Sequence, residues 1–134
     1  MLIYISGAIS SDPDYRVKFL KKQMELEEKG HKVINPSRIG DMLPELKHEQ
    51  YLHIDKALID ICDAVYFLKD WGLSKGAREE YEYVKDINHT IKKYCTMREN
   101  NDGWVAIYEY EDKILARKGE PIKLIFEGDN EDEL

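Results

Sequence analysis

The sequence predicts an α/β fold: a doubly wound parallel sheet followed by a β-meander extension. Three observations carry that reading. Short apolar runs rich in β-formers recur along roughly the first 95 residues, at Leu2–Ser6, His31–Asn35 and Ala64–Leu68. Segments with helical spacing separate them. The run AVYFL has no polar interruption, as expected of a strand buried on both faces of a parallel sheet.

Taken in order, LIYIS reads as a strand ended by Gly7. Asp12-Pro13 opens a helix, with Asp12 as N-cap and Pro13 at its first position. Val17, Leu20 and Met24 keep helical spacing, and Gly30 closes the segment. HKVIN is the second strand, stopped by Pro36. Residues 36–50 carry two prolines and little pattern, and read as a long loop with one short helical turn. Tyr51, Ile54, Leu58 and Ile61 make the next helical stripe, before the strand Ala64–Leu68. A loop from Lys69 to Ser74, a helix from about Gly76 to Ile87 and a strand near Thr90–Tyr94 follow.

Residues 99–103, ENNDG, mark a boundary. Beyond it Trp104–Tyr110, Lys113–Arg117 and Ile122–Phe126 alternate apolar and polar residues, the pattern of a meander. The expected organisation is therefore a flavodoxin- or Rossmann-like α/β domain over 1–98 and a β-strand extension over 99–134. The last eight residues, EGDNEDEL, hold five of the 27 acids and read as a solvated, frayed tail.

Composition narrows the function. A net charge of −7 argues against binding polymeric nucleic acid, which rests on phosphate neutralisation, but leaves a small nucleotide open. No apolar run approaches the roughly 18 residues of a membrane span, and the N-terminus lacks the basic start of a signal peptide. A cytoplasmic protein is the expectation. Cys62 and Cys95 stand in no metal-ligand spacing and read as reduced, mostly buried thiols. His31, His48, His53 and His89 make no metal site either, so neither metal nor cofactor is expected.

In an open parallel sheet, ligands bind at the carboxyl ends of the strands, near the reversal of strand order. Ser74 and Gly76 precede a helix there, as a cradle for phosphate or carboxylate or as an ordinary N-cap. Three glutamates follow. Glu79 and Glu82 point to water, whereas Glu80 falls inside the apolar stripe of Ala77, Tyr81 and Val84. A desolvated carboxylate is costly unless it is paired, capped or part of a site. On the preceding helix Asp55 borders the apolar face and Asp60 faces water. Two carboxylates from consecutive helices meeting at one crevice suit acid/base or nucleophilic work at a sugar carbon. Tyr4 points toward the loop that follows the first strand.

The pattern Tyr4–Ile9 (YISGAI), Asp55 eight residues before Asp63, and S-x-G-x-x-x-E from Ser74 to Glu80 resembles the nucleoside 2-deoxyribosyltransferase superfamily, which includes the 2′-deoxynucleoside 5′-phosphate N-hydrolases. The likeness covers roughly residues 1–95. Through W-x-x-S-x-G-A-x-x-E (Trp71–Glu80) it is closest to a branch of small proteins assigned only by similarity to those enzymes. The resemblance implies cleavage of an N-glycosidic bond, by hydrolysis or 2-deoxyribosyl transfer, with Glu80 as an ionised nucleophile. Asp55 would assist sugar binding and departure of the base, and Tyr4 would orient Glu80. It further implies substrate contacts from Ser6, Gly7, Ala8, Ile9, Ser10, Asn35, Ser74 and Gly76. The serine at position 74 tilts the expectation toward a 5′-phosphorylated nucleoside, and relatives imply a homodimer or larger assembly. The loop GAISSDP departs from the arginine-bearing phosphate loop of the hydrolases, so phosphate would rest on Ser10, Ser11, backbone amides and Lys75. The alternative is a nucleotide-binding or sensing protein that keeps the crevice without turnover.

Overall fold

The computed structural model describes residues 1–94, 96–100, 103–110, 113–118 and 121–134. Four strands, β1 (Leu2–Ser6), β2 (Lys32–Ile34), β3 (Ala64–Phe67) and β7 (Lys123–Phe126), form an all-parallel sheet in the order β2-β1-β3-β7. Between them run helices α1 (Tyr15–Glu28), α2 (Ile39–Met42), α3 (His48–Asp60) and α4 (Lys75–Tyr94). The chain goes outward from β1 to β2, then back across β1 to β3. Strand order therefore reverses between the carboxyl ends of β1 and β3.

Side-chain alternation along the strands divides the core in two. Ile3, Ile5, Ala64, Tyr66 and Ile125 face α1, where Phe19 and Leu26 meet them. Tyr4, Val65 and Phe67 face α3 and α4, where Ile59, Val84 and Ile87 meet them. Helices thus cover both faces, as a doubly wound sheet requires. Among the described residues no helix is long and apolar enough to cross a membrane.

Several local expectations are corrected. Val17, Leu20 and Met24 are exposed, and the buried face of α1 is that of Phe19 and Leu26. Lys22 lies on this inward face, its ammonium 5.1 Å over the Tyr66 ring. A lysine that buries its stem along apolar surface breaks the visible stripe. On α3 the core position is Ile59, while Ile61 is 64% exposed just past the helix. The strand expected at Thr90–Tyr94 is the last part of α4. No glycine or proline interrupts Ile87–Tyr94, so the helix simply continues.

The strand expected to end the meander does not belong to it. β4 (Thr96–Asn100), β5 (Gly103–Tyr110) and β6 (Lys113–Lys118) form a separate antiparallel sheet. β7 returns to the main sheet and pairs in parallel with β3, Val65 opposite Leu124. Asn88 of α4 sets its start, donating to Ile122 O at 2.9 Å and accepting from Ile122 N at 2.8 Å. The acidic tail is not frayed either. Asn130 accepts from Phe126 N and donates to Leu124 O, Glu131 accepts from the Tyr66 hydroxyl, and Leu134 packs on the α1-side core. Cys62 is buried against Leu58 O, and Cys95 lies outside the described residues.

The two faces of α1 make a direct test. Phe19→Ala should cost about 3–5 kcal/mol in urea denaturation, whereas Val17→Ala should stay within about 0.5 kcal/mol. Equal losses would place α1 the other way round.

Candidate functional site at the strand-order reversal

The site is assembled by three periodicities. Tyr4 and Ser6 lie two apart on β1 and share its α3/α4 face. Asp55 precedes the buried Ile59 by one helical turn, which brings it onto the inward side of α3. Glu80 stands between Ala77 and Val84 on the buried face of α4. Four of the expected site residues, Tyr4, Ser6, Asp55 and Glu80, are thereby brought together beneath the reversal point.

Glu80 is 6% exposed, and Ser6 donates to its Oε1 at 3.4 Å. Its Oε2 has no partner, and neither does the fully buried Tyr4 hydroxyl. Only one other buried side-chain polar atom among the described residues shares that condition, His31 Nε2. Unmade hydrogen bonds therefore concentrate here, each costing about 1–3 kcal/mol. No salt bridge among the described residues reaches Glu80 or Asp55. The structural ion pair that would make Glu80 an ordinary core acid is not what holds it.

The electrostatics follow from burial without a counter-ion. Desolvation, then the negative Asp55, push Glu80 up to about 8, against the weaker pull of Tyr4 and Ser6. Desolvation raises Asp55 to about 6, opposed by Tyr4 and His48. Burial raises Tyr4 well above the usual phenol value, with both carboxylates adding to the effect. Interacting carboxyls titrate as a pair, and both shifts favour a proton held between them near neutral pH. Burial thus opposes the ionised state that the resemblance implies for Glu80. Glu80 sits a full turn inside α4, and its Oε1 meets a hydroxyl rather than an amide.

The remaining expected contacts are arranged differently. Gly7 is a close approach: a Cβ there would meet Leu68 Cδ1 at 2.7 Å and Leu68 Cβ at 3.1 Å. Ala8 is buried and its amide is already given to Asp70 Oδ1 at 3.2 Å. Ile9 and Ser10 are exposed on the loop. Asn35 caps a 3-10 turn, accepting from Ser37 N at 3.1 Å and Ser37 Oγ at 2.6 Å, and donating to Gln23 at 3.0 Å. Ser74 Oγ accepts from Ala77 N at 3.2 Å, the ordinary N-cap bond. Beside Gly76 lies the His48 ring, whose Cε1 would be 3.7 Å from a Cβ at that position.

Three residues at this end of the sheet, Lys18, His48 and Asp70, were not singled out by sequence pattern. Lys18 joins the loop after β1 to the loop after β3. It donates to Ala8 O at 3.2 Å, to Asp12 at 2.8 Å and to Asp70. Burial opposes its charge, but the two carboxylates outweigh it and raise its pKa. His48 stands 3.3 Å from Glu79, so Glu79 does not simply face water; Lys75 is 3.9 Å from the same carboxylate. The available signal for His48 was its seven-residue spacing from Asp55, two helical turns on one face. Nothing comparable marks Lys18 or Asp70. Among the described residues no group of side chains could hold a metal ion.

Fold and site define an α/β protein in which a buried glutamate stands beside a half-buried aspartate at a topological switch point. More particularly, residues 1–93 match the family described as a domain of unknown function, DUF4406, and the chain belongs to it. No curated protein and no solved structure matches the chain.

Because folding raises the Glu80 pKa, the folded state binds that proton more tightly than the unfolded chain. The stability this gives is present below the usual glutamate value of 4.5 and is lost as pH rises toward about 8. Glu80→Gln should match the wild type near pH 5 in urea denaturation. It should exceed the wild type by on the order of 3 kcal/mol near pH 8.5. A pH-independent difference would mean that Glu80 does not titrate in this window.

Proposed function

We propose that this protein cleaves the N-glycosidic bond of a nucleoside or nucleoside 5′-monophosphate, by hydrolysis or 2-deoxyribosyl transfer, with Glu80 as nucleophile. The observation that carries the reading is a buried carboxylate with one unpartnered oxygen, near a second carboxylate and in no salt bridge among the described residues. The motifs shared with the nucleoside 2-deoxyribosyltransferase superfamily supply the reaction class.

The chemistry balances within these residues. With substrate bound, the pair's single proton resides on Asp55, and Glu80 is the carboxylate. The bond from C1′ to the base nitrogen breaks, its electron pair leaving with the base, which takes the proton through Asp55. A Glu80 oxygen bonds to C1′ as positive charge develops on the sugar. Water, or a second base in transfer, then attacks C1′, returns its proton to Asp55 and releases the Glu80 carboxylate. Tyr4 and Ser6 orient Glu80 by donating to the charge it regains.

One observation favours a second reading, a binding protein without turnover. In the empty site Glu80 keeps its proton at neutral pH, whereas a nucleophile must lose it.

Free-base release from deoxynucleosides and their 5′-monophosphates decides between the readings. We expect turnover by the wild type, falling more than about 100-fold in Glu80→Ala. A one-proton pair predicts a bell-shaped rate with limbs near 6 and 8. Nucleotide-induced thermal stabilisation without any base release would establish the binding reading instead.

A further inference from the structure

We infer that this site takes an uncharged nucleoside and discriminates against its 5′-monophosphate, an inference that rests on the reading above and names its substrate class. A phosphate at a switch-point crevice is ordinarily held by unengaged backbone amides and a nearby cation. At the rim described here, three such amides and the cation of the β1 loop are already engaged. The Ala8 amide is bonded to Asp70 Oδ1, and the Asp14 amide to Asp12 Oδ1 at 2.9 Å. In the first turn of α4, the Ala77 amide goes to Ser74 Oγ. The cation of the β1 loop, Lys18, is held by Asp12, Asp70 and the Ala8 carbonyl together.

A phosphate would therefore have to draw Lys18 away from two carboxylates. It would also leave both of them beside a dianion. Lys75 offers little in exchange: its side chain is 75% exposed, and its ammonium is already shared with Glu79. Like charges at a rim deter the wrong partner more effectively than a distant ammonium attracts it. The interior, by contrast, suits a neutral ligand. Tyr4 and Glu80 each present an unpartnered polar oxygen, complementary to hydroxyl groups rather than to an anion.

The inference runs against the tilt toward a phosphorylated substrate that Ser74 suggested. Its hydroxyl oxygen is the helix cap, and the arginine that a phosphate loop would supply is absent from the Gly7–Pro13 segment.

The test compares 2′-deoxynucleosides with their 5′-monophosphates on the full chain, by base release and by thermal-shift binding. We expect a preference for the nucleoside of at least about 30-fold at low salt, narrowing as ionic strength rises. Asp70→Asn keeps an acceptor for the Ala8 amide while removing one rim charge, and should narrow the preference about tenfold. Glu28→Gln, an equal charge change at the other end of α1, should leave it unaltered. Equal or better use of the monophosphate by the wild type would overturn the inference and leave the N-glycosidase reading standing. Selective nucleoside binding without base release would uphold the selectivity and remove the catalytic reading. Binding of neither compound would sink both.

Discussion

The architecture turns on one constraint: a carboxyl group is buried in the sheet–helix interface with no salt bridge to it among the described residues. Such a group avoids its full desolvation penalty by keeping a proton, and Glu80 does so. It must also be prevented from swinging out to water, where it would ionise freely. Ala77 before it and Val84 and Ile87 after it are buried, so the helix cannot rotate Glu80 outward without exposing them. The packing of α4 therefore enforces an electrostatic state that the isolated helix would not adopt. The negative Asp55 deepens the effect, while Tyr4 and Ser6 oppose it more weakly.

Holding such a site requires a rigid surround, and the ion-paired lysine between the β1 and β3 loops supplies part of it. Lys18 reaches from α1 to the Ala8 carbonyl, Asp12 and Asp70, joining three segments that would otherwise be independent loops. Gly7 lets the ends of β1 and β3 approach at the Leu68 side chain, where any Cβ would collide. These contacts are partly sheltered, and each one uses a donor or acceptor that a ligand might otherwise engage. Rigidity at the rim and the engagement of its polar groups are thus two consequences of the same bonds.

How far the sequence foretold this depends on the kind of signal. The parallel strands were legible because Leu2–Ser6 and Ala64–Leu68 are apolar without interruption. The inward aim of Glu80 was legible because only one of three neighbouring glutamates shares the phase of Ala77 and Val84. The inward face of α1 was not, since Lys22 lies within it and a cation carries no hydrophobic signal. The fate of Ile122–Phe126 was hidden for a different reason. Alternation defines a strand, but it does not say which sheet accepts it. The roles of Lys18, Asp70 and Asn88 are long-range hydrogen bonds, invisible to any local pattern.

That placement of β7 changes what the extra strands are. The parallel sheet is completed by residues 123–126, yet the family match ends at residue 93, within α4. Strands β4–β6 therefore lie inside the crossover between α4 and β7, as an insertion rather than an appendage. An insertion of this length is thermodynamically tolerable, because loop-closure cost grows only by about 0.6 kcal/mol per doubling. The condition is that the returning chain be recaptured, and Asn88 meets it with two bonds to the Ile122 backbone. Val84 and Ile87, which hold Glu80 inward, share their cluster with Ile122 at the start of that returning strand. The burial of Glu80 thus rests on packing completed by residues that follow the inserted sheet in sequence.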